Sequence, residues 1–286
     1  MKILWVADFA LRHTIGGAQR SDALHISEGI QRGHNIVSFN YDSPRELLAR
    51  EYDVVVSANM ENLHRDPAVW DKVVDHGRHI RCEHDSNSYL TINMRRELFG
   101  STRHSCFLSE FHLSEFQRMY GNIFYNTSIV SDPIDTDIFC NHNITRQDRT
   151  LYIGYLHQLK GVQVFLNHVL DNPTELFAVA GWGAPQLERA IKSFDNVEWL
   201  GQYDYKDMPL LLNGFSRMFY KPVKFEPFCR SVAEAILCGV ELDVGDNIGS
   251  VHEYNRVGLE KFTRNCKEAS RNFWDLIEND KLTVSD

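Results

Sequence analysis

No apolar run in the chain approaches the roughly 20 residues that cross a bilayer, so a membrane-spanning helix is not expected. The opening stretch, MKILWVADF, is too short and lacks the small-residue cleavage site of a secretory leader. The six cysteines (Cys82, Cys106, Cys140, Cys229, Cys238 and Cys266) form no C-x-x-C pair. That spacing argues against the common zinc patterns and against a disulfide framework, and points to reduced thiols in the cytoplasm. Thirteen histidines are scattered without ligand-like spacing, so no metal site is expected. Positive charge is also short: 30 Lys and Arg stand against 39 Asp and Glu, a net charge of −9. This excludes a protein that clamps nucleic acid over its whole surface, but leaves room for a local basic cleft.

What is present is an ordinary globular composition. The chain has 286 residues, 43% hydrophobic and 24% charged, enough for one large domain or two modest ones. Apolar, β-branched runs alternate with helical periodicity. Ile3–Val6 reads as a strand, Ala18–Arg32 as a helix stopped by Gly33, and Asn35–Phe39 as a second strand, a βαβ unit that implies a parallel sheet. Further strands are expected at Tyr52–Ser57, His79–Cys82, Ser105–Ser109 and Ser128–Val130, with helices at Val69–Asp75 and Glu110–Tyr120.

Residues 140–149 are polar and read as a linker. A second series follows, with strands at Leu151–Tyr155, Leu176–Ala180, Val197–Leu200 and Arg217–Tyr220. Helices are expected at Val162–Leu170, Pro185–Phe194, Met208–Asn213 and Ser231–Cys238. The expected fold class is α/β, with two Rossmann-like domains over residues 1–139 and 150–261 and a cleft between the carboxyl ends of their strands. Residues 262–286 carry Phe273, Trp274, Leu276 and Ile277, and are expected to form a helix that packs on another surface.

Several residues are placed for chemistry. Gly16 and Gly17 precede a helix, where backbone amides can approach an anion; such a pair is equally a tight turn. In KPVKFEPFCRSVAE, Glu226 and Glu234 form an E-x7-E spacing across a loop and the helix after it. That helix start, with Ser231 in its first turn and Arg230, Lys221 and Lys224 beside it, suits a diphosphate, while the carboxylates suit sugar and ribose hydroxyls. Helix caps and solvated charge give the same pattern. Lys160 lies between a strand and a helix, within reach of a phosphate or simply of solvent. His84, in CEHDS at a strand end, fits either a hydroxyl contact, proton transfer or a structural role.

Taken in order, GGAQR, EHD, SEF, DPIDTDIF, GYLHQLKG and EPFCRSVAEAILCG resemble the retaining glycosyltransferases of family four, which have the GT-B fold. Gly249 and Glu253 match a later Gly-x-x-x-Glu element, and the likeness runs from Met1 to about Glu253. The resemblance implies a nucleoside-diphosphate sugar as donor substrate, no metal and no other cofactor, and retention of anomeric configuration. It implies that Gly16 and Gly17 lie by the donor phosphate, that His84 touches the transferred sugar, and that Lys160 neutralises the leaving diphosphate. Glu226 then binds the sugar and Glu234 the ribose. It further implies a final helix, from Phe262, that returns to the first domain.

The chain departs from that pattern in places. Tyr155 stands where the family has an arginine after the glycine, and Cys229 where it has a glycine. Arg230 is a candidate replacement for the missing phosphate cation. The compact length is similar to versions encoded by viruses and phages. An epimerase of the same fold, or a nucleotide-sugar-binding module with a decayed site, are the alternative readings. The acceptor is open among glycan, lipid, protein and modified DNA. The stretch from His76 to His104 of the first domain carries Arg78, Arg81, Arg95, Arg96 and Arg103, the first four being acceptor-side candidates; it would suit a phosphate-bearing acceptor or be a solvated face.

Overall fold

The computed structural model describes residues 1–9, 16–86 and 90–279. The chain divides into two units: Met1–Pro133 together with Arg264–Asp286, and Ile134–Thr263. The second unit is therefore inserted into the first. The sequence-based linker at 140–149 is not one, because the division falls earlier and Gln147–Arg149 already belong to a strand.

The first unit contains β1 (Lys2–Val6), α1 (Gly17–Gln31), β2 (Asn35–Phe39), β3 (Val54–Ser57), α2 (Pro67–Val74) and β4 (His79–Cys82). It continues with α3 (Ile92–Gly100), β5 (Thr102–Phe107), α4 (Glu110–Tyr120) and β6 (Thr127–Ile129). The strands form one sheet in the order β2-β1-β3-β4-β5-β6, parallel throughout. β3 and β4 are buried along their whole length, as expected for parallel strands covered on both faces. The helix starts are locally encoded: Asp66, Thr91 and Ser109 each accept a backbone N–H of the first turn. Helix α3 was not expected, since its RREL centre carries little apolar periodicity.

The second unit contains β7 (Gln147–Leu156), α5 (Val162–Asp171), β8 (Phe177–Gly183), α6 (Pro185–Lys192) and β9 (Val197–Gly201). Then come α7 (Met208–Asn213), β10 (Phe215–Tyr220), α8 (Arg230–Leu237) and β11 (Glu241–Val244), the last unforeseen. Its sheet is also parallel, in the order β11-β10-β7-β8-β9. In such open sheets the ligand lies outside the carboxyl ends of the strands where the winding direction reverses. That point is β1/β3 in the first sheet and β7/β10 in the second.

The last element is α9 (Gly249–Asn279), interrupted at Gly258, whose φ of 77° only glycine adopts at low cost. From Arg264 onward it belongs to the first unit. There Ala269, Phe273, Trp274 and Ile277 share a core with Ile3, Trp5, Val54, Val56 and Ile80. Trp274 is fully buried and donates its indole N–H to the His25 carbonyl at 2.6 Å. It lies so close to α1 that a Cβ on Gly29 would be 2.2 Å from its ring. Arg32 of α1 grips the same helix through Asp275 at 2.7 Å and Glu278 at 2.9 Å. Among the described residues no helix is long and apolar enough to cross a membrane.

Candidate functional site

In the second unit, β7 and β10 end on either side of the winding reversal, and each delivers one of the expected side chains. Lys160 follows β7 in a single 3-10 turn, and Glu226 follows β10. They meet: Lys160 Nζ is 2.7 Å from Glu226 Oε1. Tyr220, the last residue of β10, donates its hydroxyl to the same oxygen at 3.1 Å. The other oxygen, Oε2, accepts no hydrogen bond among the described residues. The Glu226 backbone is fixed by a parallel bridge to Ile248, so the carboxylate is presented on a braced loop.

Helices α5 and α8 begin beside this pair. Neither has a side-chain cap or an acidic residue in its first turn, so their leading amides face no built-in anion. Cys229 caps α8 in the left-handed region, at φ 67° and ψ 85°. Burial, together with the Glu226 charge, pushes its thiol up to about 12 against the opposing pull of Lys160. The thiol is thus neutral at physiological pH. Ser231 sits in the first turn, its Oγ 3.6 Å from the Cys229 sulfur.

One turn into α8, Glu234 is almost fully buried and held by two donors. Tyr205 donates its hydroxyl to Glu234 Oε1 at 2.7 Å, and Arg230 donates Nε to the same oxygen at 3.2 Å. Arg230 also donates to the Tyr205 hydroxyl at 3.2 Å, closing a three-residue ring. Tyr205 carried no sequence signal, because it comes from the far side of α7, 29 positions from its partner.

In the first unit, Gly16 and Gly17 open α1 without a side-chain cap. The same helix carries Ser21 and Asp22. Ser21 donates to Asp132 Oδ1 at 2.5 Å, and His84, just past β4, lies 3.2 Å from Asp22 Oδ1 through Nε2. Burial alone would lower the His84 imidazole, but the Asp22 hydrogen bond and the charges of Asp22, Asp132 and Asp85 push it up to about 9. Its Nδ1 is buried and has no partner among the described residues. At neutral pH His84 is therefore a cation with one N–H to offer, and a poor general base. Next to it, burial and the charges of Glu83 and Glu61 push the Asp85 carboxyl up to about 7.

Solved structures share this architecture across nearly the whole chain. Sucrose-phosphate synthase from Thermosynechococcus elongatus aligns with a TM-score of 0.70 at 10% identity, covering 99% of this chain and 98% of that one. HepE from Anabaena, in complex with UDP and glucose, gives 0.68 at 13% identity over 95% and 94%. An α-glucosyltransferase in complex with UDP and a 13-mer DNA containing an HMU base gives 0.59 at 11% identity over 97% and 99%. The chain has the GT-B fold. No protein-family profile and no curated protein matches it.

Within this GT-B chain the four candidate arginines of the basic stretch, Arg78, Arg81, Arg95 and Arg96, do not form a common face. Arg81 is 4% exposed and pairs with Glu83 at 2.9 Å while donating to the Ala58 carbonyl. Although burial works against it, the Arg81 charge holds the Glu83 carboxyl below the usual range. Arg95 is 2% exposed, with its guanidinium 3.6 Å from the centre of the Tyr120 ring. Arg78 is half-buried and donates to the Ile277 carbonyl of α9 at 3.4 Å. Of the four, Arg96 alone is exposed. The reason is positional: β4 is an inner strand and α3 packs its Leu98 side inward, so arginines there must be paired or stacked rather than solvated.

Proposed function

We propose that this GT-B chain transfers a sugar from a nucleoside-diphosphate sugar to an acceptor, with retention of configuration and without a metal ion, as a cytoplasmic enzyme of the family-four type. The observation that carries the reading is the Lys160–Glu226 pair at the winding reversal of the second sheet, between the uncapped starts of α5 and α8. The UDP and glucose in the Anabaena HepE structure and the UDP in the α-glucosyltransferase structure support it at the level of fold.

Breaking the anomeric C–O bond leaves negative charge on the diphosphate and positive charge on the sugar. Lys160 and the α8 amides supply fixed positive charge to the first, which is why no metal is invoked. Glu226, steadied by Tyr220, offers Oε2 to a sugar hydroxyl. Protonated His84 donates from Nδ1 rather than accepting a proton. No side chain is assigned as nucleophile; the departing phosphate takes the acceptor proton on the same face. Glu234 receives the ribose hydroxyls. Arg230 works through Glu234 and Tyr205, so it steadies the carboxylate that receives the ribose instead of replacing the arginine absent at Tyr155. With Arg81 and Arg95 internal, the basic stretch gives no support to a phosphate-bearing acceptor.

The test is calorimetric titration with UDP, ADP and GDP, followed by assay of each nucleotide sugar for transfer in EDTA. Glu234→Ala should weaken nucleotide binding by about 1.5–3 kcal/mol, the range for a hydrogen bond to a charged group. Wild-type affinity in that variant, or activity that returns only on adding Mn²⁺ or Mg²⁺, refutes the corresponding part of the proposal.

A further inference from the structure

Three aromatic side chains stand exposed at the carboxyl edge of the second sheet, two on neighbouring strands and one just past the next. Tyr155 of β7 is 44% exposed, Trp182 of β8 is 45% exposed, and Tyr203, just past β9, is 38% exposed. By contrast Trp5, Trp70 and Trp274 are all buried. Tyr155 and Trp182 are register partners, with ring centres 5.8 Å apart and planes 36° apart. The His157 ring lies flat against Tyr155, 5.5 Å between centres and 7° between planes. His157 is itself fixed, because its Nδ1 accepts the Leu159 backbone N–H at 3.2 Å. The rings are thus preorganised without being covered.

The rings lie on the face of the sheet opposite α5. Tyr152 and Phe177 both pack on Phe165 of α5, so they point to the α5 face. Tyr155 is three residues beyond Tyr152, and Trp182 five beyond Phe177; side chains alternate, so both point to the opposite face. The crossovers β7-α5-β8 and β10-α8-β11 step in opposite directions across the sheet. Both are right-handed only if α5 and α8 cover opposite faces. The exposed rings therefore share the face of α8, which carries Glu234. Tyr203 precedes by two residues the Tyr205 that holds Glu234.

We propose that the Tyr155–Trp182 pair is the stacking surface for the base of the donor nucleotide, with Tyr203 flanking it. This rests on the assignment of Glu234 to the ribose: a base attached to that ribose has to lie along this face, and exposed, immobilised rings offer its π-face a partner of any base identity. Tyr155 thereby replaces charge with stacking at the position where an arginine was expected.

The experiment measures affinities of UDP, ADP and inorganic pyrophosphate for wild type, Tyr155→Ala, Trp182→Ala, Trp182→Phe and Glu234→Ala, with circular dichroism to confirm folding. Stacking predicts that Trp182→Ala loses about five- to a hundredfold in UDP and ADP affinity. Trp182→Phe should recover most of it, and pyrophosphate binding should not change. If Glu234→Ala weakens nucleotides while both alanine variants at the rings bind them normally, the stacking surface is refuted and the donor site stands. If wild type binds no nucleotide, both fall. Loss confined to nucleotide sugars, with UDP unaffected, would refute a base and point to the sugar. A dimer that Trp182→Ala dissociates without any nucleotide effect would also refute it.

Discussion

Replacing Trp274 by alanine should cost the first unit about 4 kcal/mol. The side chain is fully buried, and a tryptophan buries about 150–250 Å². At about 25 cal/mol per Å² that area is worth about 4–6 kcal/mol, and large-to-alanine changes in cores lose about 3–5 kcal/mol. The His25 carbonyl also loses its indole donor. For a unit of this size, each kcal/mol lowers Tm by about 2–4 °C, so a drop of about 8–16 °C is expected by differential scanning calorimetry. A second variant isolates the contact. Gly29→Ala places a methyl 2.2 Å from the Trp274 ring and should cost about 1–3 kcal/mol by overpacking. In the Trp274→Ala background part of that cost should vanish, since the ring is gone while Ile36 Cδ1, 2.6 Å from the same position, remains. A Trp274→Ala protein melting within 2 °C of about the wild-type value, or a Gly29→Ala cost that is the same in both backgrounds, refutes the packing of α9 on α1.

Lys160→Ala should lower kcat more than it raises KM, because the leaving charge grows in the transition state; an unchanged kcat in steady-state assays counts against its role. Cys229→Gly removes a side chain from left-handed backbone and should stabilise the second unit by about 1 kcal/mol, read from urea midpoints at constant m. His84→Gln should be less stable than wild type by roughly 3 kcal/mol below pH 6.5, where the raised imidazole contributes in full. That difference should shrink as pH rises through about 9, where the folded imidazole loses its proton, and a pH-independent difference in urea titrations would refute the ion pair with Asp22.

The alternation of strand and helix was readable because buried parallel strands such as VVVS and HIRC are short apolar or β-branched runs between polar loops. So were Lys160 and Glu226, which stand at loop positions after strands and meet in space. Partners contributed from a distant crossover were not readable: Tyr205 reaches Glu234 only because α7 returns the chain to the middle of the sheet. Nor could spacing show that Arg81 faces Glu83 inside the protein. An arginine run looks the same on a solvated helix and on an inner strand, and only the order of strands separates the two. Helix α3 was hidden for a related reason, its inward side being little more than Met94, Leu98 and Phe99.

The insertion of one unit within the other reverses the usual order of events on the ribosome. Domains generally fold as they emerge, the N-terminal one first. Here the core of the first unit needs Phe273, Trp274 and Ile277, so Ile3, Trp5 and Val54 have to wait until the whole second unit has been translated. The inserted unit holds all its own strands within 134–263 and can close first. A chain released after Thr263 should therefore carry a protease-resistant second unit behind a first unit that is still open to cleavage, and a chaperone would find its binding sites at the front of the sequence.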